Sequence, residues 1–321
     1  MTTNKEIEKA GEIFFPYHLM KNKQFISGEF KFVQYTSAQA AMNFIEKAEV
    51  WLRNSQCMND YLEIEHGRDC LIAAFHSEST GKCFKELLSK IHPDLESELV
   101  EYFDGWISKF IYDTYLTCIS EHPATEDQFG RLSMWRAYGY LQSVAIVINS
   151  QALIREPENN IFEAELLPVI YQDESGFEKD LKELTDRIEK NLDFIKTLGK
   201  ENIFAYLFEF FKHAVFTVKH PGFSEEREWR VIYNPSYKKS KYVVEEVVCI
   251  NGVPQRIYKI PIKDIPEEGF TGFEIPDLID KIIIGPSDNQ IILGDAFSRL
   301  LRIAGCESPE QRIRYSGIPL R

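Results

Sequence analysis

The strongest constraint in the sequence is a nearly continuous β-branched run within Ser143–Asn149. Its β-branched apolar members are Val144, Ile146, Val147 and Ile148. A strand with one face in water alternates apolar and polar side chains, whereas a run without alternation is typical of a strand covered on both faces. We therefore predict a buried strand here, with other parts of the chain packed on both sides of its sheet.

A strand, a capped helix and a second strand are predicted nearer the N-terminus. The run Phe30–Tyr35 is rich in β-forming residues and predicts the first strand. Ser37 is a suitable N-cap for the helix that follows, because its side-chain oxygen can accept a backbone N–H. Val50–Leu52 then predicts a short strand.

Helical periodicity predominates in the middle of the chain. It runs through Lys82–Tyr115 and resumes at Lys179 in an amphipathic pattern that ends at Gly199, a suitable C-cap. The next segment, Asn202–Ala214, is apolar on nearly all sides, which predicts a buried helix.

The last third of the chain predicts strands, a hairpin at Asn251-Gly252 and a final helix capped by Ser287 or Asp288. The mixed order of helices and strands predicts the α+β class with mixed and antiparallel sheets. We expect a single compact domain over residues 1–321, with a helical insertion at about residues 150–218. The predicted strands are Trp229–Tyr233, Tyr242–Ile250, Gln255–Ile260 and Lys281–Ile284.

The charge balance limits the partners of the chain. It contains 37 Lys and Arg residues against 50 Asp and Glu residues, a net charge of −13. Such a surface repels phosphate backbones, which argues against a protein whose main task is to grip bare DNA or RNA. The six cysteines are scattered, and no segment approaches the ~20 apolar residues of a membrane span. We expect reduced thiols, a cytoplasmic location and no membrane partner.

Two early motifs combine polar groups with a turn or a helix start. The quartet Gln34-Tyr35-Thr36-Ser37 joins the first strand to its helix, where free backbone N–H groups favour an anion or a nucleotide. A plain helix cap is the alternative. In Asn59-Asp60-Tyr61-Leu62-Glu63, Asp60 and Glu63 could share a cation or a ribose, although the spacing alone favours a turn.

A third motif, Ser133–Gly139, places aromatic rings beside a guanidinium. Trp135, Arg136 and Tyr138 are close enough in sequence to enclose a planar heterocycle by stacking and cation–π contact. The alternative is a helix that packs on the sheet through its aromatic side. For Trp135 the packing interpretation is favoured, and for Tyr138 both remain open.

The fourth motif, Ser224–Arg230, contains two carboxylates that lead into a strand. Alternation along a strand would place Glu226 and Glu228 on one face and Arg227 and Trp229 on the other. Adjacent carboxylates raise each other's pKa and can divide the roles of charge stabiliser and base. A solvated strand end is the alternative. The basic residues nearby would favour an anionic ligand: Lys219, His220, Arg227, Arg230, Lys238, Lys239 and Lys241.

Other chemistries have weaker support. His66 and Cys70 have the spacing of one helix face, but a zinc site needs more ligands and Cys57 is the only near candidate. No metal is therefore expected. The fingerprints GxSxG, GxxxxGK[ST], GxGxxG and HExxH do not occur in the sequence.

The four motifs in order, with a Cys-Ile-Ser stretch at Cys118, resemble an uncharacterised bacterial family, domain of unknown function 2971. That family shows an aromatic-Lys/Arg-Tyr-Thr-Ser helix start, Asn-Asp-Pro-x-Glu, Cys-Phe-Ser, Met-Trp-x-x-Tyr, and a Lys followed by Trp-x-x-Glu-x-Glu-x-Arg. The resemblance runs from about Phe30 to Gly285 and includes Lys219 and Arg230. The chain departs from it where Gln34 replaces a base, Tyr61 replaces Pro and Phe223 replaces Trp.

The arrangement of the motifs is also similar, more loosely, to ADP-ribosyltransferases, in which NAD lies in a cleft between two small sheets. This similarity implies that Gln34, Tyr35, Thr36, Trp135, Tyr138 and Arg230 bind NAD. It implies that Glu228 stabilises the sugar cation formed as nicotinamide leaves, and that Glu226 orients the acceptor. NAD would then be the substrate, and a protein or a nucleic acid a possible acceptor. We expect Gln34, Tyr138 and Glu228 to converge on one cleft.

Three functions follow as hypotheses. The first is an NAD-consuming transferase or glycohydrolase, acting as a toxin-like or phage-defence effector. The second is a non-catalytic sensor or interaction module, in which the carboxylates form structural salt bridges with Arg136, Arg227 or Arg230. The third is a metal-dependent nuclease that uses Asp60, Glu63, Glu226 and Glu228, which the basic surroundings of Glu228 disfavour. The oligomeric state is left open.

Overall fold

A computed structural model describes residues 4–58, 63–138, 142–149, 153, 160–250 and 252–319. The chain divides into two compact units, each built from three segments. Unit 1 comprises Met1–Asn22, Asn54–Thr114 and Leu167–Ser224, and unit 2 comprises Lys23–Arg53, Tyr115–Leu166 and Glu225–Arg321. Most of the helices belong to unit 1, and a mostly antiparallel sheet belongs to unit 2, which confirms the α+β class. The single-domain expectation stays a prediction.

Unit 1 is largely helical. Its elements are α1 (Asn4–Phe14), the start of α2 (Pro16–Ile26), α4 (Glu63–Phe75), α5 (Thr80–Ile91), α6 (Leu95–Tyr112), α8 (Glu174–Lys190), α9 (Leu192–Leu198) and α10 (Lys200–Thr217), with the short parallel strands β6 (Ile170–Tyr171) and β7 (Val218–Lys219).

The core of unit 1 is built on aromatic rings. Phe103 and Phe211 lie 5.4 Å apart between ring centroids, and Phe110 and Phe216 lie 5.1 Å apart. Helices α4 and α10 approach so closely that a Cβ at Gly67 would lie 2.3 Å from the carbonyl oxygen of Ala214. Residue 67 must therefore be glycine for these two helices to pack as they do.

Unit 2 contains the main sheet. Its elements are β1 (Lys31–Ser37), α3 (Ala38–Lys47), β2 (Glu49–Asn54), β3 (Tyr115–His122), α7 (Leu132–Tyr138), β4 (Ser143–Ile148), β5 (Glu165–Pro168), β8 (Glu228–Tyr233), β9 (Val244–Ile250), β10 (Val253–Pro261), α11 (Ile275–Leu278), β11 (Ile279–Ile284), α12 (Gln290–Ile303) and β12 (Ile313–Tyr315). Parts of α2 and β5 extend over the sequence boundaries between the units.

The sheet has the order β12-β11-β4-β1-β3-β2-β10-β9, and β8 pairs with β3. Strand β4 lies between β1 and β11, and its first five residues are buried. This arrangement confirms the prediction of a strand covered on both faces. The β11–β12 pair is parallel, whereas β4 is antiparallel to both of its neighbours.

Two layers cover the two faces of this sheet. We call the side with Val33, Tyr35 and Ala145 the α7 face, because residues of α7 pack against it. On the opposite side, which we call the α3 face, Ile146 and Ile282 share a core with apolar residues of α3. Because side chains alternate along a strand, consecutive residues of β1 lie on different faces.

Local sequence signals account for several element ends. Ser37 caps α3 by accepting the backbone N–H of Ala40 at 3.2 Å, as predicted. The predicted hairpin is present, since β9 and β10 pair antiparallel with Ile250 opposite Val253, although Asn251 lies outside the described residues. The final helix instead has Asn289 at its N-cap, so the expectation of Ser287 or Asp288 at that position was wrong.

Candidate functional site

The pairing register brings Glu228 and Arg230 onto the α7 face. Val33 lies opposite Ser120 in β3, and Ser120 lies opposite Glu228 in β8. Residues directly opposite each other in a sheet share a face. Arg230 is two residues further along β8, so its side chain is on the same face.

Glu228 and Arg230 form a buried ion pair. Arg230 Nε donates to Glu228 Oε1 at 2.8 Å, and the two side chains are 0% and 4% exposed, respectively. Spacing of two residues along a strand sets the two groups side by side, so the local sequence is sufficient to form the pair. The negative charge of Glu228 is therefore already compensated inside the protein.

Glu226 occupies a different local structure from the one predicted. It ends a 3-10 turn, Pro221–Glu226, and the following residue, Arg227, has a positive φ of 45°. The strand begins only at Glu228, so the argument from strand alternation does not apply to Glu226. The Glu226 carboxylate instead accepts a hydrogen bond from the hydroxyl of Tyr138 at 3.3 Å.

The sequence analysis missed a buried arginine, Arg131, which forms hydrogen bonds with several separate segments of unit 2. The Arg131 guanidinium donates to both carboxylate oxygens of Glu126 at 3.1 and 3.0 Å. It also donates to the backbone oxygens of Glu121 at 2.6 Å, Glu225 at 2.9 Å and Glu226 at 3.0 Å. These partners are up to 95 positions away in the sequence, so no local pattern identifies them. The only local signal is an arginine directly before a short aromatic helix.

The rings of Tyr35 and Trp135 pack together next to the hydrogen bonds of Arg131. Their ring centroids lie 4.8 Å apart in an edge-to-face arrangement. The Tyr35 hydroxyl accepts the backbone N–H of Arg131 at 2.7 Å, and burial raises the pKa of Tyr35 to about 12. Trp135 is 3% exposed and donates its indole N–H to the backbone oxygen of Phe129. These contacts support the packing interpretation of Trp135.

Gln34 and Thr36 lie on the opposite side of the sheet. Gln34 is opposite Ile146, a residue of the α3 face, and its Nε2 donates to the hydroxyl of Thr117 at 3.3 Å. Thr36 is two residues further along β1 and shares this face. The expected convergence of Gln34 with Glu228 on one cleft was therefore wrong, because alternation along β1 and the register through β3 put the sheet between them.

The remaining predicted site residues belong to unit 1 or lie outside the described residues. Lys219 is a residue of β7 in unit 1, where its ammonium lies 4.7 Å above the ring centroid of Phe223. Asn59 and Asp60 lie outside the described residues, and of Glu63 only its position at the start of α4 is described. The assignment of these residues to a ligand stays a prediction.

Much of the basic cluster predicted for an anionic ligand is already ion-paired. Arg227 contacts Glu126 at 3.3 Å, Lys238 contacts Glu163 at 3.5 Å, and Lys241 contacts Glu268 at 2.7 Å. The hydrogen bond with Glu268 raises the pKa of Lys241. Much of the positive charge counted in the sequence is thus neutralised within unit 2.

The spacing of His66 and Cys70 does place them together on α4, with 3.7 Å between Cys70 Sγ and His66 Nε2. Burial raises the pKa of the Cys70 thiol to about 11. In the absence of a metal ion, this environment favours the neutral thiol. None of the helices in the described part of the chain is long and apolar enough to cross a membrane.

Residues 134–231 match the model of a family described as "Protein of unknown function (DUF2971)". The match confirms the resemblance seen in the sequence over this segment, which includes the Met134–Tyr138 motif and ends just after Arg230. It covers under a third of the chain, and the three earlier motifs lie outside it. No significant match to a curated protein or to a solved structure was found.

Proposed function

We propose that the chain is a non-catalytic sensor or interaction module, in which the charged residues of the α7 face are structural. The observation that carries this proposal is the buried pair of Glu228 and Arg230, with 2.8 Å between Oε1 and Nε. Arg131 plays a similar part, since its guanidinium joins Glu126 to three backbone oxygens. The charges of Glu228, Arg230 and Arg131 each contact a partner in the same unit.

A carboxylate that stabilises a developing sugar cation must present its charge to an accessible site. Glu228 is 4% exposed and faces a guanidinium, so its electrostatic effect on a ligand is cancelled at short range. Glu226 is likewise engaged by the Tyr138 hydroxyl, and the Tyr138 ring packs against the apolar cluster of the α7 face. Substrate access would require these contacts to open.

One observation favours NAD consumption as a second candidate function. Trp135, Tyr138 and Glu228 lie on the same face, and the Tyr138 hydroxyl reaches Glu226. A movement of α7 away from the sheet would uncover aromatic rings beside two carboxylates. In that state Tyr138 would stack on nicotinamide and Glu228 would stabilise the ribose cation.

The variant Glu228→Gln distinguishes the two functions. A structural role predicts a lower melting temperature, because Arg230 would keep a buried charge without its carboxylate partner, and breaking such a pair costs about 3–5 kcal/mol. Glu225→Gln, at an exposed position three residues earlier, is the matched control and should melt like the wild type. The double variant Glu228→Met/Arg230→Met should recover much of the loss.

The same proteins are incubated with millimolar NAD, and released nicotinamide is measured by chromatography. We expect no release by the wild type. Nicotinamide release that Glu228→Gln abolishes, at an unchanged melting temperature, would refute the structural role and establish the enzyme. A variant that melts lower and a wild type without turnover would support the proposal.

A further inference from the structure

Unit 1 contains a cavity of about 300 Å³ that none of the predicted site residues lines. It lies among the junction of α1 and α2, strand β6 and helices α8 and α10. Part of its wall is aromatic: the ring centroid of His213 lies 5.0 Å from that of Phe15 and 4.9 Å from that of His18. Such a wall offers flat surfaces for a planar ligand.

A carboxyl group without a cation partner lines this cavity. In the described residues, no Lys, Arg or His makes an ion pair with Asp180. The nearest guanidinium on the same helix, that of Arg187, contacts Glu183 at 3.7 Å and donates its Nε–H to the backbone oxygen of Ile13 at 2.8 Å. Burial raises the pKa of Asp180.

A buried donor lies beside that carboxyl group. The Gln172 amide is close enough to lower the pKa of Asp180 in turn, yet its Nε2 has no acceptor in hydrogen-bonding geometry among the described residues. A buried donor without an acceptor costs free energy. In the described part of the chain, the cavity thus presents a carboxyl group without a cation partner next to a buried amide donor without an acceptor in hydrogen-bonding geometry.

We propose that this cavity binds a guanine base, with two adjacent N–H donors of the base on Asp180 and its carbonyl oxygen on Gln172 Nε2. A carboxylate can accept two parallel N–H bonds, which matches the ring N–H and the exocyclic amine of guanine. The carbonyl group next to them would accept the Gln172 amide hydrogen. The purine ring would stack on the rings of Phe15 and His213.

Size and charge restrict the ligand further. Cavities for small molecules range from about 300 to 1,000 Å³, so this one is at the lower limit and suits a base or a nucleoside better than a dinucleotide. Two carboxylates, Asp180 and Glu183, line it together with one guanidinium, that of Arg187. This balance disfavours phosphate groups, so guanosine should bind more tightly than its 5′-monophosphate. The inference does not depend on the role of the α7 face, which belongs to unit 2.

Isothermal titration of the full chain with guanosine, inosine, adenosine and guanosine 5′-monophosphate tests the proposal. We expect guanosine to bind with a submillimolar Kd and inosine, which lacks the exocyclic amine, to bind at least about tenfold more weakly. Asp180→Asn should weaken guanosine binding at least about tenfold. Asp186→Asn is the matched control, because Asp186 is an exposed residue of the same helix and does not line the cavity.

The variant Gln172→Leu provides an independent check should Asp180→Asn fold poorly. It removes the Gln172 amide donor and leaves the Asp180 carboxyl group unchanged, so it should also weaken guanosine binding. Absence of heat and of any thermal shift with millimolar guanosine would overturn the proposal. Equal binding of guanosine and adenosine, unchanged by either variant, would also overturn it, since stacking alone would then account for the affinity. Neither result would bear on nicotinamide release, which tests the α7 face.

Discussion

Replacing Arg131 with Met should destabilise unit 2 more than any surface substitution. The side chains of Arg131 and Glu126 are 9% and 15% exposed, so the pair is largely buried. Breaking a buried pair by removing one partner costs about 3–5 kcal/mol. Arg227 remains 3.3 Å from Glu126 and still compensates part of its negative charge. We therefore expect the free energy of unfolding to fall by about 3 kcal/mol, the lower limit of that range.

Urea unfolding monitored by tryptophan fluorescence measures this loss. Three of the four tryptophans, Trp51, Trp135 and Trp229, lie in unit 2, so the signal reports mainly on that unit. Arg136→Met is the matched control, because it removes an exposed arginine of the adjacent helix. Its effect should be below about 1 kcal/mol, the usual range for surface charges.

The lysine variant tests the geometry of the contact. Arg131→Lys keeps the charge but cannot reach two carboxylate oxygens and three carbonyl oxygens at once, so its loss should be intermediate. The reasoning would be refuted if Arg131→Met and Arg136→Met unfolded at the same urea concentration with the same slope. Arg131 would then contribute no more than a solvated charge.

Two further predictions concern unit 2. Burial lowers the pKa of His122 despite its hydrogen bond with Asp127, so the unfolded state binds a proton more readily than the folded state. The contribution of neutral His122 to stability should therefore be fully present above about pH 6.5 and decrease as the pH falls below that value. Melting temperatures between pH 5 and 8 would show this slope, His122→Asn should flatten it, and an equal slope in that variant would disprove the assignment. Gly130→Ala should cost about 1–3 kcal/mol, because residue 130 has a φ of 67° and its Cβ would lie 2.8 Å from the Trp135 ring. Near-ultraviolet circular dichroism should report a displaced indole, and a spectrum and melting temperature equal to those of the wild type would contradict this.

Local patterns predicted many elements well, because short-range physics determines them. The run Val144–Ile148 is apolar at every position, so only a strand with two covered faces accommodates it. Ser37 caps its helix through a bond to a residue three positions away. Glu228 and Arg230 meet because they are two residues apart on one strand. Contacts of this kind involve no other part of the chain.

The candidate site was predicted only in part, because its composition depends on strand order. The alternation within β1 separates Gln34 from Tyr35, but only the pairing of β1 with β3, and of β3 with β8, determines which of them shares a face with Glu228. The partners of Arg131 come from the end of β3, the turn that follows it and the turn before β8, so no spacing in the sequence indicates them. The cavity around Asp180 arises in the same way from helices distant in sequence.

By itself, the sequence determined the class of the chain, its buried central strand, its helix cap at Ser37 and the adjacency of Glu228 and Arg230. Each of these follows from side-chain alternation or from a bond within a few residues. Only the tertiary structure decided that Gln34 faces away from Glu228, that Arg131 donates hydrogen bonds to three backbone oxygens, and that Asp180 lies beside Gln172 in a cavity. The physical reason is that strand register and helix packing depend on the burial of many side chains at once, and no short segment carries that information.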